Sequence, residues 1–128
     1  MPEPATGAIN EPALIQQEID RLCRSLGAAA TELGTKIEEL GQAELAYGDA
    51  FEDGLVQLVE DHDGARLPGE DVRRALIHKT AGVRERWHVV RKLQRRVEAV
   101  EKWSRKVEAE LVGRESQLRS MLGEGRRG

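Results

Sequence analysis

The chain has 128 residues, of which 34% are charged and only 3% are aromatic, and its formal net charge is −3. This composition excludes a large aromatic core and favours one helical domain with a thin core shared between long elements. The net charge conceals an asymmetry: residues 1–72 hold 16 acidic and 4 basic residues, whereas residues 73–106 hold 12 basic and 3 acidic ones. An acidic segment therefore precedes a basic one.

The N-terminal stretch MPEPATGAINEP lacks the basic and apolar parts of a signal peptide, and no apolar run is long enough to span a bilayer. We therefore expect a cytoplasmic protein without a membrane partner. Residues 1–9 contain two prolines and one glycine, which predicts a disordered tail. Asn10 is a suitable N-cap, so a first helical arm is expected over residues 10–60.

Apolar residues recur every seven positions along this first arm. One predicted core position holds Ile19, Leu26, Leu33, Leu40 and Tyr47, and the other holds Cys23, Ala30, Ile37, Glu44 and Phe51. Such an a/d repeat is typical of a coiled coil. Because Cys23 falls on the predicted core and no basic or histidine cluster adjoins it in sequence, we expect a small buried side chain rather than a reactive thiol.

Four glycines, Gly27, Gly34, Gly41 and Gly48, share the same spacing of seven, and we call them the glycine row. Each costs a helix interior about 1 kcal/mol relative to alanine. Close approach of the second arm would offset that cost, and mere tolerance on a weakly helical surface is the alternative. We favour close packing, with Gly27 opposite Trp103 and Gly48 opposite Gly82. A break at Gly48 or Gly54 would instead give three helices.

Turn-forming residues occupy positions 61–69, where Pro68 ends any helix. The second arm is predicted over residues 70–122, and Gly123 and Gly125 should leave residues 123–128 as a flexible tail. Its core positions are Leu76, Val83, Val90, Val97, Ser104, Leu111 and Leu118, with Leu93, Val100, Val107 and Met121. A kink or break is expected at Thr80-Ala81-Gly82. The two arms predict a single-domain, all-α, long antiparallel helical hairpin.

Trp87 and Trp103 flank the core of the second arm, and we expect them to pack there or at a dimer contact rather than to stack on a ligand. Val89 and Trp103 widen the apolar stripe beyond strict a and d positions, which favours more than two helices. We therefore predict that hairpins assemble, around core residues such as Val90 and Val97, into a helical-bundle homo-oligomer that is a dimer or a tetramer.

Most basic residues of the second arm fall outside its predicted core. Seven of the nine Lys and Arg between Val83 and Val107 occupy b, c or f positions, and we call them the basic ridge: Arg84, Arg91, Lys92, Arg95, Lys102, Arg105 and Lys106. An exposed ridge can contact successive phosphates of DNA or RNA, although no aromatic residues interleave with it. A solubilising face and a docking surface for an acidic protein, including another copy's first arm, are the alternatives.

No nucleotide-binding loop or nucleophile elbow occurs, and His62, His78 and His88 lack zinc-ligand spacing. The Asp61-x-Asp63-Gly64 stretch lacks the later carboxylates of a calcium loop. We predict no catalytic residue, metal or cofactor, and thus a non-enzymatic interaction protein. One alternative is a protein-only scaffold or inhibitor that docks through the glycine row or the two tryptophans. Another is a hairpin whose acidic turn enters a partner enzyme's channel.

Three stretches resemble small helical proteins encoded in tailed bacteriophages and prophages: Tyr47-x-x-Ala50, residues 64–73, and the basic heptads that end at Leu111…Gln117. The resemblance covers residues 40–122. Members of that group are often encoded among early genes near recombination and replication functions. The resemblance implies a phage-type accessory protein, or one that binds a host or phage protein, and it transfers no site residues.

Overall fold

The computed structural model describes the backbone of residues 11–80 and 82–127, with side chains as far as residue 123. It contains three helices, α1 (Pro12–His62), α2 (Glu70–His78) and α3 (Val83–Arg127). The long helices α1 and α3 pack antiparallel, which confirms the predicted all-α helical hairpin. The tail predicted over residues 1–9 lies outside the described residues.

Helix α1 begins at Pro12, where the N–H that proline lacks would have no partner within the helix. The Glu11 carbonyl accepts hydrogen bonds from the N–H groups of Leu14 and Ile15 at 3.0 and 3.1 Å. The helix continues through Gly48 and Gly54, so the break considered at those glycines does not occur. It ends at His62, two residues beyond the predicted arm.

The chain then turns at Asp63 and Gly64, which have φ angles of 38° and 79°. A left-handed backbone is strained for most residues but accessible to glycine and tolerated by aspartate. The Ala65 N–H donates to the His62 carbonyl at 2.8 Å, which closes the turn. The turn predicted over residues 61–69 is therefore confirmed, although Asp61 and His62 still belong to α1.

The second arm is two helices rather than one. The Thr80 hydroxyl donates to the Ile77 carbonyl at 2.7 Å, which satisfies a carbonyl at the end of α2. Gly82 follows with a φ of 75°, a conformation that glycine adopts without the strain other residues incur. The prediction of a break here is confirmed. At its other end α3 reaches Arg127, beyond the end predicted at Leu122.

The chain divides into two compact units, and we call Gly34–Glu98 the three-helix unit because it contains all of α2. Its core is the cluster of Leu58, Ile77 and Val83. Partly buried apolar residues surround that cluster: Tyr47, Ala50, Phe51, Leu55, Leu67 and Leu76. The core positions predicted for the second arm include Val90 and Val97, and both are buried, at 2% and 9% exposure.

The other unit, which we call the two-helix unit, comprises the described parts of Met1–Leu33 and Ala99–Gly128. Its buried side chains are aliphatic: Ile15, Ile19, Leu22 and Ala29 on α1, and Val100 and Val107 on α3. On α1, Leu22 and Ala29 replace the predicted Cys23 and Ala30 in the core. Cys23 is exposed, so the prediction of a buried thiol is wrong. One predicted core position of the first arm is thus displaced by one residue.

Candidate nucleic-acid interface

Helix α3 presents the basic ridge to solvent. All seven side chains are exposed, as their b, c and f positions predict: Arg84, Arg91, Lys92 and Arg95 in the three-helix unit, and Lys102, Arg105 and Lys106 in the two-helix unit. The buried positions of α3 include Val83, Val90 and Val97, which recur at intervals of seven. The ridge therefore follows from the helical period that buries these valines.

The cations of the ridge do not form direct ion pairs with carboxylates. Within the part of the chain that the structure describes, none of its seven side chains forms an ion pair. The i,i+4 spacing of Glu98 and Lys102 suits an ion pair, but these side chains do not approach within 4.0 Å. Ion pairs that do form, such as Lys36 with Glu39 and Arg74 with Glu70, lie on α1 and α2.

A cluster of aromatic rings lies beside the N-terminal part of the ridge. It joins Tyr47 and Phe51 of α1, His78 of α2 and Trp87 of α3, and we call it the aromatic cluster. Tyr47 is central, with its ring centroid 5.9 Å from Phe51, 5.8 Å from His78 and 5.1 Å from Trp87. The Tyr47 hydroxyl and His78 Nε2 lie 2.9 Å apart and share a hydrogen bond. Edge and tilted ring contacts of this kind stabilise a core beyond the area they bury.

Trp87 connects this cluster to the ridge. The Arg91 guanidinium carbon lies 5.8 Å from the centroid of the Trp87 ring, within cation–π range. The two residues are four positions apart on α3, so the helix places them on one face. A shallow depression of the surface is lined by Trp87, His88, Arg91, Lys92 and Arg95. The ridge thus does have an adjoining aromatic ring, which corrects the expectation that none accompanies it.

Helix α3 does not pack closely against the glycine row. A Cβ atom added at Gly27, Gly34, Gly41 or Gly48 would meet nothing within 4 Å, so the predicted close approach within the chain is wrong. Gly54, which does not belong to the row, contacts α2 instead. A Cβ there would lie 2.8 Å from Ile77 Cγ2 and 2.9 Å from Thr80 Oγ1.

The two tryptophans singled out from the sequence have different environments in the structure. Trp87 is half-buried in the aromatic cluster, whereas Trp103 stays 46% exposed.

The described residues contain no group of three or more His, Cys, Asp or Glu that could hold a metal ion. His62 uses its Nδ1 for a 2.8 Å hydrogen bond with the Leu58 carbonyl. No helix in the described ranges is long and apolar enough to cross a membrane.

The resolved pKa shifts lie in the two-helix unit. Hydrogen bonds from the Arg21 guanidinium lower the pKa of Glu18, and the charge of Arg114 acts in the same direction. The pKa of Arg21 is raised in turn, first by its hydrogen bonds to Glu18. Because Glu18 belongs to α1 and Arg114 to α3, this charge effect also reports how the two helices oppose each other.

No protein-family model matches the chain, and searches of curated proteins and of solved structures likewise found no match. The resemblance to phage proteins, the homo-oligomer and the cytoplasmic location therefore stay predictions.

Sequence reasoning placed the ridge but missed the aromatic cluster. Its residues come from three separate stretches of the chain, with Tyr47 and Phe51 on α1, His78 on α2 and Trp87 on α3. Two signals were available in the sequence, namely the i,i+4 spacings of Tyr47 with Phe51 and of Trp87 with Arg91.

Proposed function

We propose that this protein is a non-enzymatic helical-hairpin interaction protein that binds the phosphate backbone of nucleic acid through the basic ridge of α3. The observation that supports the proposal is that all seven cations of the ridge are exposed and that none is paired with a carboxylate within the described residues. Lysine and arginine in such an arrangement displace the counterions condensed on DNA or RNA, which favours binding.

The charges of the chain are segregated between its two long helices. Exposed carboxylates, including Glu38, Glu39, Glu52 and Asp53, lie on α1. A polyanion is repelled by these groups and attracted by α3, so binding is favoured at the ridge although the whole-chain net charge is −3. The same argument predicts that binding weakens steeply as the salt concentration rises.

The test is a charge-reversal variant, Arg91→Glu, Lys92→Glu and Arg95→Glu, assayed for binding to labelled DNA and RNA by fluorescence anisotropy at two salt concentrations. A matched control, Arg24→Glu, Arg66→Glu and Lys79→Glu, changes the net charge equally at exposed positions outside the ridge. We expect the ridge variant to lose binding and the control to keep most of it. Circular dichroism and light scattering check that both variants keep their helicity and assembly. Equal affinities of the two variants would refute the proposal.

A second candidate function is a protein-only scaffold or inhibitor of a host or phage protein, in a cytoplasmic homo-oligomer such as a dimer or tetramer. Exposed large apolar side chains favour it: Ile37 and Leu45 on α1, and Val89, Trp103 and Val112 on α3. Aromatic and aliphatic side chains of this kind anchor protein interfaces. Light scattering decides between the candidates, because a dimer or tetramer that is indifferent to DNA and RNA at low salt favours the protein-only function.

A further inference from the structure

Aromatic side chains are scarce in this chain, yet they are concentrated beside the ridge. The sequence contains two Trp, one Tyr and one Phe. Three of these four residues, Tyr47, Phe51 and Trp87, belong to the aromatic cluster of the three-helix unit. Tyr47 supports the Trp87 ring, because their centroids lie 5.1 Å apart with a tilt of 42°. Trp87 is therefore packed against another ring of the cluster.

Trp87 also borders the basic depression. The ring lines that depression together with Arg91, Lys92 and Arg95, and the Arg91 guanidinium lies 5.8 Å from the ring centroid. Successive positions four residues apart on a helix advance by about 6 Å along its axis. Trp87, Arg91 and Arg95 therefore form a short path in which one aromatic ring is followed by two guanidinium groups.

Trp103 lacks this setting although it is more exposed. The residues four and eight positions after Trp103 are Val107 and Leu111, both apolar, whereas those after Trp87 are arginines. Among the described residues, the cation–π contact involves Trp87 and not Trp103. The two tryptophans of the chain thus form a natural pair of test site and control.

A row of cations alone does not discriminate between duplex and single-stranded nucleic acid, because both present phosphates. An aromatic ring next to such a row does discriminate. Bases in a duplex are stacked on each other, whereas a single strand can turn a base onto an aromatic ring or an arginine plane.

We propose that the three-helix unit binds single-stranded nucleic acid, with one base stacked on Trp87 and the adjoining phosphates on Arg91, Lys92 and Arg95. This inference rests on the function proposed above and specifies its ligand. His88, which lines the same depression, lies beside the bound strand. Stacking is tolerant of sequence, so the preference concerns strandedness rather than base identity.

The first experiment compares Trp87→Leu with its matched control Trp103→Leu in binding to an oligothymidylate and to a duplex of the same length. Leucine keeps apolar bulk while it removes the ring. We expect Trp87→Leu to weaken single-strand binding about tenfold and to leave duplex binding unchanged, whereas Trp103→Leu changes neither. Thermal melting by circular dichroism checks that both variants are folded.

The second experiment keeps the Trp87 ring and so remains decisive even if Trp87→Leu unfolds. In the Trp103→Leu variant, Trp87 is the sole tryptophan, and its fluorescence should be quenched when the oligothymidylate binds. Binding of the oligothymidylate to this variant without quenching of Trp87 would overturn the inference.

The outcomes separate this inference from the function on which it rests. Equal binding of single strand and duplex, lost on charge reversal at Arg91, Lys92 and Arg95 but unaffected at Trp87, overturns the single-strand preference and upholds phosphate binding. Binding to neither form at low salt overturns both.

Discussion

Two regions of α1 differ in how closely a neighbouring helix approaches them. Along the glycine row, a Cβ atom at any of the four glycines would meet nothing within 4 Å. At Gly54, by contrast, α2 approaches so closely that a Cβ would lie 2.8 Å from a methyl group of Ile77. The regular spacing of the row predicts close contact, yet the contact is found at an isolated glycine. Close approach to α1 therefore depends on the short middle helix α2.

The largest effect expected from this comparison is at Gly54. Gly54→Ala should lower the free energy of unfolding by about 1–3 kcal/mol, because Ile77 is β-branched, buried and unable to move aside cheaply. Chemical denaturation measures the loss. The double variant with Ile77→Ala should be less unstable than the sum of the single changes, since the methyl group that clashes is gone. Strict additivity would show that Gly54 does not contact Ile77.

Substitutions in the glycine row should instead increase the stability of the protein. Gly34→Ala and Gly41→Ala together should raise the free energy of unfolding by about 1–2 kcal/mol, because alanine is the better helix former and has open space here. Thermal and chemical denaturation check the gain. If the row is instead a contact between copies in a homo-oligomer, light scattering should show that the double variant dissociates.

A smaller loss of stability is expected when the hydrogen bond between Tyr47 of α1 and His78 of α2 is removed. Tyr47→Phe removes the hydroxyl that lies 2.9 Å from His78 Nε2 while it keeps the ring contacts. The loss in free energy of unfolding should be about 1 kcal/mol. A double-mutant cycle of Tyr47→Phe with His78→Ala isolates the bond itself, and a coupling energy of zero would contradict it.

The smallest effect is expected in the two-helix unit, at Glu18. Because Arg21 lowers the pKa of Glu18 in the folded chain, the pair stabilises above the ordinary carboxyl pKa and loses that contribution as the pH falls through the lowered value. Glu18→Gln should cost at most about 0.5 kcal/mol at pH 7, since solvent screens the pair, and the cost should disappear once the pH is low enough to protonate Glu18 in the folded chain. Denaturation as a function of pH, with Glu38→Gln as the control, measures it. A loss that persists at low pH would contradict the charge mechanism.

Heptad spacing was sufficient to predict the hairpin and the core of the second arm. It failed at one core position of the first arm because Leu22 precedes Cys23 and Ala29 precedes Ala30, so apolar residues satisfy either register there. The structure buries Leu22 and Ala29. Ile37, which favoured the wrong register, is 50% exposed. A period of seven alone does not choose between adjacent apolar positions.

Glycine as a signal was equally ambiguous, because a break was conceivable at Gly48, Gly54 and Gly82 and occurs at the last only. Gly82 has a φ of 75°, whereas Gly54 is helical and lies under α2. The tertiary contact offsets the helix propensity of Gly54, and no local rule contains that information. The aromatic cluster escaped prediction for the same reason, since its assembly requires α2 to fold back on α1.

The position of α2 has a further consequence for the order in which the chain folds. Gly54 and Ile77 are brought together by closing a short loop. Glu18 and Arg114, by contrast, approach each other only when a loop that includes most of the chain is closed. The entropy lost on closing a loop grows with its length, and contacts that are near in sequence form sooner. Folding is therefore expected to start at the bend and to advance toward the chain ends, with the contact of α2 on α1 as its nucleus.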